Sequence, residues 1–309
     1  MSIDLRAAAA DYLRTRRAWG YKLTDHEWLI SAFLDQLADP RATTISVADA
    51  VAFATAPSGS GRWHAARLAA IRGFAAHVHV LDPAAAELIP PGLITAKVTR
   101  RIPYLYSDDQ IAELMSRTGA VLRPRLATTM RTLIGLLAVT GLRSGEAAAL
   151  DTDDLNLDQA VLRVTGKYDK ERLVPLHAST IETLLAYQRS RDTGAPTSST
   201  RALLVGSTGN RLNLNSARAA FQRVAKRCDL PTRPGCGTPR LHDFRHTFAV
   251  NSLVDAYRQG ADVDARIAGL VTYLGHANPV NTYWYLSASP ELMMLVRDQM
   301  TTHWQGRRP

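Results

Sequence analysis

Four prolines between residues 81 and 103 set the architecture of this chain. In LDPAAAELIPPGLITAKVTRRIP, Pro83, Pro90, Pro91 and Pro103 forbid a continuous helix. On both sides, apolar residues recur at helical spacing, as in Leu5, Tyr12 and Leu13, and again in Trp28, Leu29, Phe33 and Leu37. A chain of 309 residues is long enough for two cores, one on each side of such a break. We therefore expect a helical domain at 1–95, a linker at 96–103 and a second domain at 104–309.

The first domain reads as all-α. Pro40 stops the second helix, Ser46 can cap a third, VADAVAFAT, and PSGSG at 57–61 is a turn. The helix that follows carries Arg62, Arg67 and Arg72 on an alanine-rich background. Small neighbours allow a basic face to approach a phosphate backbone closely. These three arginines, with Lys97, Arg100 and Arg101 of the linker, are the candidate nucleic-acid contacts.

The second domain opens on Ser107 and Gln110, a capping box. ATTMRTLIGLLAVTG is a buried helix stopped by Gly141. Residues 160–176 alternate like two short strands around a turn at 166–170, the clearest β pattern in the chain. Helices are expected at about 215–228, 242–258, 263–274, 279–286 and 290–301. In the last of these, Ser289 is the cap and Leu292, Leu295 and Val296 form an apolar stripe, packed on its own domain or on a neighbouring protomer. The fold class is thus mainly α with a small antiparallel β-sheet.

The formal net charge is +9, which favours a polyanionic partner. No apolar run is long enough to span a membrane and the N-terminus lacks a signal-peptide core, so a cytoplasmic protein is expected. Cys228 and Cys236 read as reduced structural thiols. In order along the second domain stand Arg143 in TGLRSGE, Lys167 in TGKYDKER, His242 and Arg245 in HDFRH, His276 in LGH, and Tyr285 in TYWYL. Breaking a phosphodiester without a metal demands such a set. Fixed cations must meet charge on the nonbridging oxygens, a nucleophile must store the bond, and an acid must protonate the leaving oxygen. Arginine suits the first task, since its planar fork meets two phosphate oxygens.

These segments resemble the tyrosine recombinase/integrase family, whose catalytic domain carries Arg, Lys, His-x-x-Arg, His and Tyr in that order. The spacings, 24 residues from Arg143 to Lys167 and 9 from His276 to Tyr285, also fit its bacterial members. The resemblance covers roughly 103–301. The first hundred residues match the family's core-binding domain only in length, helicity and basic character. It implies that Arg143 and Arg245 clamp the scissile phosphate, that His242 bonds it and can accept the tyrosine proton, and that His276 supports it. Lys167 would protonate the 5′ oxygen, and Tyr285 would attack to leave a 3′-phosphotyrosine. The implied partners are double-stranded DNA and further copies of the chain or related recombinases, with a homotetramer on two duplexes; no cofactor is required. The approach to the nucleophile looks more like recombinases of mobile elements than chromosome-dimer resolvases.

Rival readings stand beside these. Lys170 shares the turn with Lys167, and Tyr283 lies two residues from Tyr285. Glu146 is expected to hold Arg143, and His246 to pack. His242 and His246 at i, i+4 superficially resemble a zinc motif, though Arg245 between them would oppose a dication. At the level of function, the alternatives are a catalytically silent DNA-binding protein of the same fold and a type IB topoisomerase-like enzyme.

Overall fold

The computed structural model describes residues 3–21, 23–37, 44–96, 102–166, 170–193, 200–231, 236–275, 292–295 and 297. The chain forms two compact units, Met1–Arg100 and Arg101–Pro309. Among the described residues no helix is long and apolar enough to cross a membrane.

Unit 1 holds α1 (Leu5–Ala18), α2 (Thr24–Gln36), α3 (Val47–Thr55) and α4 (Gly61–Leu81). Short polar side chains start three of them: Asp4, Ser46 and Ser60 accept backbone N–H groups at the first turns of α1, α3 and α4. The core gathers one face of each helix, with Leu13, Phe33, Phe53, Ile71 and Phe74 buried. Phe33 and Phe53 meet edge to face at 5.4 Å. Gly73 lies where a Cβ would stand 2.7 Å from the Tyr12 hydroxyl oxygen, so the bare backbone of α4 makes room there for the tip of the Tyr12 side chain from α1.

Unit 2 opens with α5 (Asp108–Val121), α6 (Pro124–Thr140) and the short α7 (Ser144–Ala149). The capping box at Ser107 and Gln110 is formed. Strands β1 (Leu155–Asn156), β2 (Val161–Thr165) and β3 (Glu171–Pro175) make one antiparallel sheet in that order. The two expected strands are therefore joined by a third, too short for its alternation to be read. Register pairs Leu162 with Val174 and Val164 with Arg172, so those four residues share the inner face. Helices α8 (Ala178–Thr193), α9 (Leu214–Ala225), α10 (Asp243–Arg258) and α11 (Val263–Leu274) follow. Helix α6 is the hub: Met130, Leu133, Ile134 and Leu137 are fully buried, between α5, α8 and α10.

A separate cluster joins α10 and α11 through Leu253, Val254, Ile267 and Leu270, and Leu292 is buried within it. Leu292 thus packs on its own domain. The helix expected at 279–286 lies outside the described residues.

Candidate active site

Three chain reversals build the site. Helix α6 ends at Gly141 in a left-handed conformation, φ +61°, and a Cβ there would stand 2.6 Å from the Phe248 ring. Only glycine meets both demands. Two residues on, Arg143 caps α7, its backbone N–H donating to the Glu146 carboxylate at 3.0 Å. Helix α11 ends at Gly275, again left-handed with φ +63°.

Helix ends leave carbonyls without intrahelical partners and carry partial negative charge. At the end of α11 these carbonyls collect three guanidinium groups in succession. Arg172 Nε donates to the Tyr273 carbonyl at 2.9 Å, Arg245 Nη2 to that of Leu274, and Arg143 Nη2 to that of Gly275 at 3.2 Å. Arg245 also donates through Nη1 to the Gly141 carbonyl at 3.0 Å, which ties α6 to α10. It is 1% exposed, whereas the Arg143 side chain is 37% exposed and open to a ligand.

Glu146 is the counter-ion of this cluster. It bonds Arg143 Nη1 at 2.6 Å and receives Arg172 through both nitrogens, at 3.2 and 2.8 Å. Burial by itself would raise its pKa. The hydrogen bonds from Arg172 and Arg143 outweigh burial and hold the carboxyl below its ordinary value. Glu146 therefore fixes Arg143, as its position three residues on suggested. Arg172 was missed. A legible signal existed, since alternation along 171–175 turns Arg172 inward with Val174.

His242 precedes α10, in a turn braced by the bidentate pair between Arg240 and the buried Asp243. Burial, then the charges of Arg245, Arg240 and Arg143, lower the His242 pKa to about 4. The imidazole is thus neutral at neutral pH and can accept a proton. His246 packs edge-on to it at 4.9 Å. Tyr106 locks the entrance of the domain to the same turn, its hydroxyl donating to the Arg240 carbonyl at 3.0 Å and its ring stacking on Phe244. Tyr273, stacked on Phe248, has a pKa pushed up to about 12 by burial, which suits it to packing and not to attack.

The structure brings together Arg143, His242 and Arg245. Lys167, His276 and Tyr285 lie outside the described residues, as do Lys97, Arg100 and Arg101. Among the described residues no group of three His, Cys, Asp or Glu side chains could hold a metal ion. Both cysteines are free. In unit 1, Arg62 is exposed and Arg72 half-buried. The expectation for Arg67 is corrected. It is 6% exposed, donates to the Phe53 carbonyl at 2.8 Å and lies over the Phe53 ring at 3.9 Å. The hydrogen bond and the ring contact support α3 from inside unit 1.

Residues 106–291 match the model of the phage integrase family. The chain belongs to that family, the family of the tyrosine recombinases. Among its relatives, a Sinorhizobium fredii protein named as an integrase/recombinase (y4rB) is 38% identical over 98% of each chain. The tyrosine recombinase XerC of Mycobacterium tuberculosis is 29% identical over 93% of this chain and 92% of its own length. The fold is shared with the Tn1549 transposon integrase bound to transposon right-end DNA, with TM-score 0.64 at 15% identity, covering 97% of this chain and 99% of that one. It is shared equally with a lambda integrase dimer bound to a core site, with TM-score 0.62 at 18% identity over 92% and 77%.

Proposed function

We propose that this tyrosine recombinase cuts and rejoins DNA through Tyr285, with Arg143 and Arg245 gripping the scissile phosphate. The observation that carries this reading is the seating of both guanidiniums on consecutive carbonyls at the end of α11. Two charges that water would let drift are held there before substrate arrives, which is how charge developing on nonbridging oxygens is best stabilised.

The step is an in-line displacement at phosphorus. The Tyr285 oxygen forms a bond to phosphorus, giving a 3′-phosphotyrosine, while the bond to the 5′ oxygen breaks. The phenol proton passes to His242, which is unprotonated at neutral pH and so has a free nitrogen to take it. Lys167 supplies the proton to the departing 5′ oxygen, and His276 supports the phosphate. A 5′-hydroxyl from a partner duplex then reverses the displacement and releases the tyrosine. Glu146 and Arg172 are positioning residues that hold Arg143 in place.

Exchange between two duplexes needs four cuts, and the working form is a homotetramer on double-stranded DNA. A lambda integrase tetramer on a Holliday junction has the same fold, with TM-score 0.58, which supports that assembly. The approach to Tyr285 favours a mobile element as the setting.

The test uses a nicked duplex carrying the element's own end, whose cleavage traps the covalent complex. The wild-type chain forms a denaturation-resistant adduct and Tyr285→Phe binds without forming one. An adduct with the phenylalanine variant overturns the assignment. No adduct from either protein would favour a silent DNA-binding protein. Relaxation of plasmids lacking the site would favour a topoisomerase.

A further inference from the structure

At the other end of unit 2, α5 and α9 finish side by side over a cavity of about 580 Å³. Arg117, Ala120 and Val121 line it from α5, and Arg223, Lys226 and Arg227 from the end of α9. Arg117 lies 3.6 Å from Glu113 on its own helix. Arg223 donates to the Val121 carbonyl at 3.0 Å and so caps α5. Lys226 and Arg227 are exposed, and among the described residues no carboxylate pairs with either. Four cations therefore surround one hollow, and among the described residues Glu113 is the only carboxylate that pairs with any of them.

Helix C-termini favour cations, and that accounts for Arg223. Each helix end carries only about half an elementary charge, so the two ends balance roughly one of the four. The remaining charges repel one another unless an anion joins them. The lining also says which anion. It holds no aromatic ring on which a base could stack and no large apolar anchor of the kind that carries protein interfaces. What it offers is guanidinium forks and an ammonium, the groups that hold phosphate.

Position separates this cavity from the active site. Its lining residue Val121 lies three residues before the start of α6, and Gly141 stands at that helix's far end. The 17 residues of α6 span about 25 Å. We propose that the cavity seats backbone phosphates of a second DNA segment, distinct from the one that Arg143 and Arg245 grip. This rests on the recombinase reading above.

The test compares the full chain with Lys226→Gln/Arg227→Gln and with the charge-reversed Lys226→Glu/Arg227→Glu. Affinity is measured against salt on a duplex just long enough for one catalytic domain and on one several times longer. The wild type should show a steeper salt dependence on the long duplex. The glutamine variant should lose about 2 from that slope, at roughly 0.9 per phosphate contact, and nothing on the short duplex. The glutamate variant should fall further on the long duplex alone. Equal slopes on both duplexes, or equal losses on both, would overturn the proposal. Sodium tripolyphosphate and polyglutamate serve as competitors. Tripolyphosphate should flatten the wild-type slope on the long duplex. Its binding with no effect on that slope would assign the cavity to free polyphosphate. Stronger competition by polyglutamate would assign it to an acidic protein; either result sinks the DNA proposal. These slopes are read without cleavage, so a missing covalent adduct refutes the catalytic reading separately.

Discussion

Glu146 and His242 show how single residues acquire roles from their surroundings. Glu146 is 8% exposed and would be costly to ionise alone, yet two arginines keep it charged. Removing one partner from a buried pair typically costs about 3–5 kcal/mol, because the other charge is stranded. His242 has the opposite history: it gains no acid partner close enough to offset burial and three nearby cations, and it stays neutral. Its folded pKa, about 4, lies below the unfolded value of about 6.5. Between those values the unfolded chain binds a proton that the native chain refuses. Stability is therefore full above pH 6.5, falls as pH drops through the window, and levels off below pH 4. The loss over that window is about 3 kcal/mol at 1.36 per pH unit. Urea titrations of wild type and His242→Gln should differ in slope against pH there and run parallel above it. A histidine resonance at position 242 that titrates near 6.5 would contradict the account.

At the scale of elements, the ends of helices matter more than their middles. Helix α6 supplies a carbonyl to Arg245 and α11 supplies three to Arg172, Arg245 and Arg143. Those carbonyls are available because each helix stops on a left-handed glycine. Gly141 and Gly260 allow a clean comparison, since both have φ above +60°. Nothing stands within 4 Å of a Cβ built on Gly260, while one on Gly141 overlaps the Phe248 ring. Gly260→Ala should lose about 1 kcal/mol, the backbone strain alone. Gly141→Ala should lose a further ~1–3 kcal/mol from overpacking and should weaken DNA cleavage by shifting the Arg245 anchor. Equal losses in thermal melts of the two variants would show that the Phe248 contact yields freely.

For the whole molecule, each unit owns a complete core. The buried cluster of unit 1 draws on residues from Leu5 to Ile89, and the large cluster of unit 2 starts at Tyr104. Arg67, one of the basic residues of α4, donates its hydrogen bond inside unit 1. A fragment of residues 1–100 should therefore fold alone, with helical circular dichroism and one cooperative melt. A broad, non-cooperative melt of that fragment would mean that its core is incomplete.

The family, the α-rich class, the capping box at Ser107 and the helix stop at Gly141 were all legible in the order of the residues. These are local matters: a proline, a glycine or a short polar side chain acts through its own backbone within a few residues. The same order also marked Arg143, His242 and Arg245, because metal-free phosphoryl chemistry needs those residue types. That Arg67 is a core residue, and that Arg172 shares Glu146 with Arg143, emerged from packing. Burial depends on which helix covers a side chain. The bond between Arg172 and Glu146 depends on a strand register that brings together residues 26 apart. No local rule contains either, since both arise from surfaces that meet only after the chain has folded.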